Sequence, residues 1–313
     1  MKEELFVSGR NIPNIDPYLH IWHWQIPLYL FLGGLAAGIL FFAGYFVVMK
    51  KEKEMQASVK WAPLLAPVAL VLGLFALFLD LKHQLYFWRL YTTVRFSSPM
   101  SWGAWTLMLI TPLSMVWVAS YMKEMFPKWD WKFEILNKFE ALAIKYRKPM
   151  AWAMMILAII LGVYTGILLS AFNARPLWNT SILGPLFLVS GLSTGLAATM
   201  LLSKSKYEIK VLSRLDLILI TVELFLITNM FMGFLAGSAA KIEAAQLFLG
   251  GDFTVTFWAF VVVLGLLFPA IMEILELRGY HVPVWIPSTF ILIGGLVFRF
   301  VMVEAGQITR FLY

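Results

Sequence analysis

The 313-residue chain is 61% hydrophobic and only 14% charged, with a mean hydropathy of +0.80. A soluble domain sits near half apolar because it has a polar surface to furnish, so the excess must face lipid, and the net charge of +7 reports cytoplasmic loops rather than a nucleic-acid partner. Cysteine is absent, which excludes a disulfide, a thiolate metal site and an iron–sulfur cluster held by this chain.

Residues 1–26 lack the basic-then-apolar order of a cleavable signal, and Pro13, Asp16 and Pro17 stand where its apolar segment would be, so none is expected. A helical span needs about twenty apolar residues. Eight stretches qualify, at 27–49, 62–81, 102–122, 150–172, 182–202, 215–237, 255–275 and 284–304. Charge or turn chemistry separates them: Lys50 to Lys60, Ser97–Ser98–Pro99, Pro127 to Pro149, Arg175–Pro176, Ser203 to Lys210, Gly250–Gly251–Asp252 and Arg278–Gly279. The expected fold is therefore an all-α integral membrane protein with eight transmembrane helices. A β-barrel is excluded, because the runs are continuous and far longer than a barrel strand. No internal repeat stands out, and no inverted pair of broken helices of the transporter kind.

Orientation follows from the basic residues. The connections after helices one, three, five and seven hold Lys50, Lys51, Lys53, Lys60, Lys123, Lys128, Lys132, Lys138, Lys145, Arg147, Lys148, Lys204, Lys206, Lys210, Arg214 and Arg278. The termini and the other connections hold Lys2, Arg10, Lys82, Arg89, Arg95, Arg175, Lys241 and Arg310. This bias puts the first set in the cytoplasm and both termini outside, with Trp22, Trp24, Trp88, Trp102, Trp105 and Trp178 as an outer aromatic belt.

The topology gathers a polar set at the outer helix ends: His20, His23, Gln25 and Tyr29 on helix one, Asp80 and His83 after helix two, Ser101 on helix three, Tyr164, Thr165 and Ser170 on helix four, and Glu304 and Gln307 on helix eight. Acid, imidazole and phenol at one level are what a proton-coupled quinone site needs: donors for two carbonyl oxygens and an acid to exchange protons. The competing reading is that interfacial His and Tyr only anchor helices to headgroups. For Asp80 that reading is weaker, since a carboxylate at a span end is costly unless solvated or paired. A second polar set lies toward the cytoplasm. Arg214, Asp216 and Glu223 open helix six, and the spacing of the two acids puts them on one face. Each buried charge costs about 2.5–3.5 kcal/mol, so the set reads either as a proton route or as a structural pair with Arg214 or Arg299. The four histidines, His20, His23, His83 and His281, lie at helix ends or in loops, which disfavours haem ligation, and no metal site is expected.

Five segments carry a resemblance that runs over essentially the whole chain. They are Trp22–His23–Trp24 with Tyr29 into Gly33–Gly34–Leu35–Ala36–Ala37–Gly38; Asp80; Ser98–Pro99–Met100–Ser101–Trp102–Gly103; Tyr164–Thr165–Gly166 followed by Arg175–Pro176–Leu177–Trp178–Asn179; and Arg299 followed by Ala305–Gly306–Gln307. In these the sequence resembles the NrfD-like family, the quinone-binding membrane subunits of the polysulfide reductase type. The resemblance implies a single transmembrane domain over 1–313 made of two four-helix bundles, expected at about 20–125 and 148–313. It implies a menaquinone or ubiquinone bound near the outer surface as substrate, with Tyr164 hydrogen-bonding the quinone and Asp80 exchanging protons where the family has a glutamate. Arg214 falls at or near the family's arginine at the start of helix six. Tyr29 and His23 are then further quinone contacts, with Arg175, Asn179, Arg299 and Gln307 in support. Where the polysulfide-reductase type has asparagine and histidine on helix one, this chain has Ile26 and Tyr29. The implied partners are a ferredoxin-like four-cluster iron–sulfur subunit on the outer face and a molybdopterin catalytic subunit, in a prokaryotic cytoplasmic (inner) membrane. Two other classes remain open from the residues alone: an ion- or proton-coupled transporter or channel using Asp80, Asp216 and Glu223, and a passive membrane anchor.

The orientation is directly testable. A reporter active only in the cytoplasm, fused after Tyr313, is expected to be silent; a strong signal would invert the topology.

Overall fold

The computed structural model describes residues 21–129 and 133–310. His20, Lys2, Arg10, Lys132 and Tyr313 lie outside the described residues. Eight helices are long and apolar enough to cross a membrane: α1 (Gln25–Val48), α2 (Ala57–Asp80), α3 (Pro99–Met125), α4 (Arg147–Ser170), α5 (Leu183–Leu202), α6 (Lys206–Leu235), α7 (Thr256–Leu277) and α8 (Trp285–Ile308). Among the described residues there is no strand. The start of the described residues lies against the end of α8: the Gln307 carboxamide accepts from the Ile21 and Trp22 amides at 3.0 and 2.8 Å and donates to the Trp22 carbonyl at 2.9 Å. The lysine distribution makes that side the outer one.

In the membrane a backbone group without a partner costs several kcal/mol, and the local irregularities follow from this. Pro63 has no N–H to give the carbonyl four residues back. The start of α2 accordingly runs as a π turn over Ala57–Trp61 and a 3-10 turn over Ala62–Leu64, and the Trp117 indole of α3 donates to the Val59 carbonyl at 3.1 Å. Helix α6 starts at Lys206, nine residues before the apolar stretch that predicts it, because Ser205 caps it: its hydroxyl accepts from the Glu208 amide at 3.4 Å. Ser-x-x-Glu is a capping-box pattern, yet Glu208 does not turn back on its own helix. Its buried carboxylate accepts from the amides of Ala57 and Ser58 and from the Ser58 and Ser203 hydroxyls at 2.7–3.2 Å. One helix's capping residue thus caps another, and joins α6 to α2 at the inner surface.

Helices α1–α4 form one bundle and α5–α8 the other. Helix α4 packs along α1 and against both α3 and α5. The long α3–α4 connection looks like a boundary in the sequence but is a pinned reversal. Its surface helix Glu134–Lys145 is held to α3 by Lys123, whose ammonium lies 2.8 Å from Glu140 and 2.7 Å from Asn137 Oδ1. Arg147 then starts α4 against α3, paired with Glu124 at 2.7 Å and stacked 3.7 Å from the Tyr121 ring centroid. The bundles meet along α1, which contacts both α5 and α8. At the centre of that seam a methyl group added at Gly38 or Gly195 would run into the facing backbone. The Gly-Gly-Leu-Ala-Ala-Gly run of α1 is therefore the close-approach stripe of a helix–helix interface.

Removing the Glu208 carboxylate strands two amides at the head of α2. Glu208→Ala is expected to lower stability by about 3 kcal/mol, seen as a lower unfolding temperature in detergent with the helical content unchanged.

Candidate quinone site and a buried carboxylate cluster

On the outer half of the first bundle a cavity of about 450 Å³ opens between α3 and α4. One wall is Phe96, Ser97, Pro99 and Trp102; the other is Ile159, Ile160, Val163, Tyr164 and Ile167, a face of α4 at helical spacing. The lining is almost wholly apolar, and Tyr164 and Ser97 are its hydroxyl-bearing residues. The Tyr164 ring lies flat over Gly103 of α3, where any Cβ would overlap it. The wall opposite is held by the Trp102 indole, which donates to the Phe96 carbonyl at 2.9 Å, and by the edge contacts among Phe96, Trp102 and Trp105. A flat apolar ring carrying hydrogen-bond acceptors fits such a slot.

Tyr29 does not line the cavity. It is 2% exposed, packs beside Gly73 of α2, and faces Tyr164 from behind at interacting distance, with its hydroxyl left without a well-formed hydrogen bond. Tyr91, in the outer α2–α3 connection, also faces Tyr29, and partial burial holds the Tyr91 phenol above its ordinary pKa. Asp80 ends α2 and interacts with His23; this pair sits outside the cavity lining. Four of the expected residues therefore fall into two layers, with Tyr164 at the cavity and Tyr29, His23 and Asp80 not in its wall. The supporting residues hold the outer ends together. Arg175 donates to the Thr309 carbonyl at 2.6 Å, the Trp178 indole donates to the Met302 carbonyl at 2.8 Å, and Asn179 closes the turn after α4 with its amide on the Arg175 carbonyl at 2.9 Å.

The second bundle encloses the other polar set. Arg299, fully buried on α8, donates to Ser190 Oγ at 2.5 Å, to the Phe187 carbonyl at 3.2 Å and to the Gly295 carbonyl at 3.3 Å, and it attracts Glu223. Of the two arginines weighed as partners for Glu223, Arg299 is the one that attracts it, across the core and without a direct ion-pair contact. Arg214 does not join it: two residues before Asp216 on a helix, it points to the opposite face and is exposed. Asp216 instead faces Glu273 of α7, a buried acid that sequence reasoning misses, with Ser193 beside them. The carboxylate oxygens of Asp216 and Glu273 and the hydroxyls of Ser193 and Ser288 are buried without a hydrogen-bond partner. Glu273 is hard to find in the sequence because it stands near the inner end of its span with Glu276 three residues on, so the two read as interfacial charges rather than as a buried acid. What Gly103 and Tyr91 face is likewise set by packing alone.

A multi-pass helical membrane protein with an apolar cavity and one phenol on its wall is thus defined. Comparison with known proteins then places it. The family model described as Polysulphide reductase, NrfD matches residues 14–311. The C subunit of polysulfide reductase from Wolinella succinogenes is 32% identical over 304 residues, covering 92% of this protein and 94% of that one. NrfD of Escherichia coli K12 is 30% identical over 308 residues, covering 92% and 96%, and the NrfD homolog of Haemophilus influenzae is 30% identical over 317 residues, covering 95% and 98%. The chain belongs to the NrfD family, whose members are membrane subunits of oxidoreductase complexes.

Removing one of two buried groups that attract each other leaves the other uncompensated. Arg299→Gln is expected to destabilise the protein by about 3–5 kcal/mol, and removing Glu223 as well, as Glu223→Gln with Arg299→Gln, to recover part of that loss in thermal unfolding.

Proposed function

We propose that the chain is the quinone-reactive subunit of a respiratory oxidoreductase in a prokaryotic cytoplasmic (inner) membrane. It takes menaquinone or ubiquinone as substrate in the α3–α4 cavity and exchanges electrons with a ferredoxin-like four-cluster iron–sulfur subunit on the outer face, which serves a molybdopterin enzyme. The observation that carries this reading is the phenol of Tyr164 on the wall of an apolar cavity, its ring fixed over Gly103. Interconversion of quinone and quinol moves two electrons and two protons. The chain has no cysteine to hold an iron–sulfur cluster, so in this reading the electrons pass to the clusters of the partner.

The protein's own residues then have separate tasks. Ile159, Ile160, Val163 and Phe96 exclude water from the ring. A phenol is protonated at neutral pH and donates to a carbonyl oxygen, so Tyr164 orients the head group, with Tyr29 behind it. Asp80, beside His23 at the outer end of α2, trades protons with outer water. A second proton route runs from the inner side through Glu273, Asp216 and Glu223 toward Arg299. Its support is that buried carboxylates and hydroxyls without partners line up there, an arrangement a purely structural core has little reason to keep. In a transporter or channel those same acids would carry ions without any quinone, and uptake of substrate by the isolated chain would favour that class. In a passive anchor none of them would matter.

The test uses the intact complex from native membranes. Tyr164→Phe removes one hydrogen bond and is expected to lower quinone-linked turnover about tenfold with assembly unchanged. Asp80→Asn keeps the shape and removes proton exchange, for a loss of about 100-fold. Parental turnover in both variants would leave the cavity without its assigned role.

A further inference from the structure

The connection between α2 and α3 runs against the charge rule that orients the chain. It carries Lys82, Arg89 and Arg95 on the outer side, and no acidic residue occurs between Asp80 and Glu124. Cations are disfavoured in short translocated loops, so three of them without a counter-charge need a reason. The fold does not scatter them. They line one cup of about 490 Å³, together with His83, Tyr86 and the hydroxyls of Thr93, Ser98 and Ser101. Arg89 is held in place by stacking on Tyr86, 4.5 Å from its ring centroid, and on Trp88 at 5.6 Å. Next to its lining residues in sequence stand the exposed apolar side chains of Leu85 and Phe96, at 88% and 73%. Fixed arginine, exposed tyrosine and tryptophan and exposed apolar neighbours are the composition of a protein–protein hot spot.

The cup also has a place relative to the quinone cavity. Arg95, Ser98, Met100 and Ser101 line the cup, whereas Phe96, Ser97, Pro99 and Trp102 line the cavity. The segment from Arg95 to Trp102 is therefore a wall one chain thick, wet and cationic on one side and apolar on the other.

We infer that this cup is the electrostatic docking seat for an acidic segment of the electron-carrying partner, and that the Arg95–Trp102 wall is what separates that partner from the quinone. The inference rests on the functional reading above and adds to it the surface, its charge and the partner's complementary chemistry. Carboxylates entering the cup would meet three uncompensated cations, steering association and making it sensitive to salt. A carrier seated there is held at the shortest protein path to the cavity.

The double variant Arg89→Glu with Arg95→Glu tests this in the purified complex, with Arg89→Lys with Arg95→Lys as the charge-keeping control. Three readouts are taken: retention of the iron–sulfur subunit across a salt series, quinone binding by the chain, and lipid phosphate bound per chain. The expected result is that the glutamate variant holds the iron–sulfur subunit at least about tenfold more weakly at low salt and loses the salt dependence. The lysine variant should behave like the parent, and quinone binding should be unchanged in both. Undiminished retention of the partner at every ionic strength would overturn the inference while leaving the quinone site standing. Loss of bound lipid phosphate in the glutamate variant, with the partner retained, would overturn it too and give the cup to an acidic phospholipid. Absence of quinone binding in the parental chain is the separate outcome that removes the functional reading itself.

Discussion

Every polar group that this chain carries into the bilayer has to be answered from within the protein, because hydrocarbon offers no hydrogen bonds. That constraint shapes the helices and the joints between them. It explains why Trp117 reaches across to the carbonyl that Pro63 abandons, and why Glu208 leaves its own helix to cap α2. It explains why Arg299 is wrapped in two carbonyls, a serine hydroxyl and the attraction of Glu223. Where the constraint is met, the helices can be fixed in position; where it is left open, chemistry becomes possible.

The two open places differ in kind. Around Tyr164 the surroundings are apolar apart from the Tyr29 phenol behind it, which suits recognition of a flat ring with few polar atoms. Around Asp216 and Glu273 several acids and hydroxyls share one buried space without a cation of their own. Helix α1 lies between these places: its outer end bears Tyr29 beside the cavity, and a Cβ at Gly34 would touch Arg299. The glycine stripe that lets α1 approach α5 is therefore also what brings the two polar regions near each other.

Much was decided by local chemistry and could be read directly. Eight apolar runs and the lysine bias determine a polytopic helical membrane protein, and the missing cysteine rules out a thiolate-held cluster on this chain, because hydropathy, charge and composition act along the chain without reference to neighbours. The motifs Gly-Gly-Leu-Ala-Ala-Gly and Ser98 to Gly103 were visible as well, although what they do was not: one is a seam between bundles and the other a seat for Tyr164. Tertiary packing alone decided the rest. It set α4 along α1 and α3 by pinning the α3–α4 reversal to Lys123 and Arg147, and it turned Arg214 outward while drawing in Glu273. It also moved Tyr29 behind Tyr164 and left Asp80 with His23 outside the cavity wall. The reason is physical: helical periodicity gives each residue's face, but which neighbour that face meets depends on backbone approach distances that only the packed glycines and the docked loops determine.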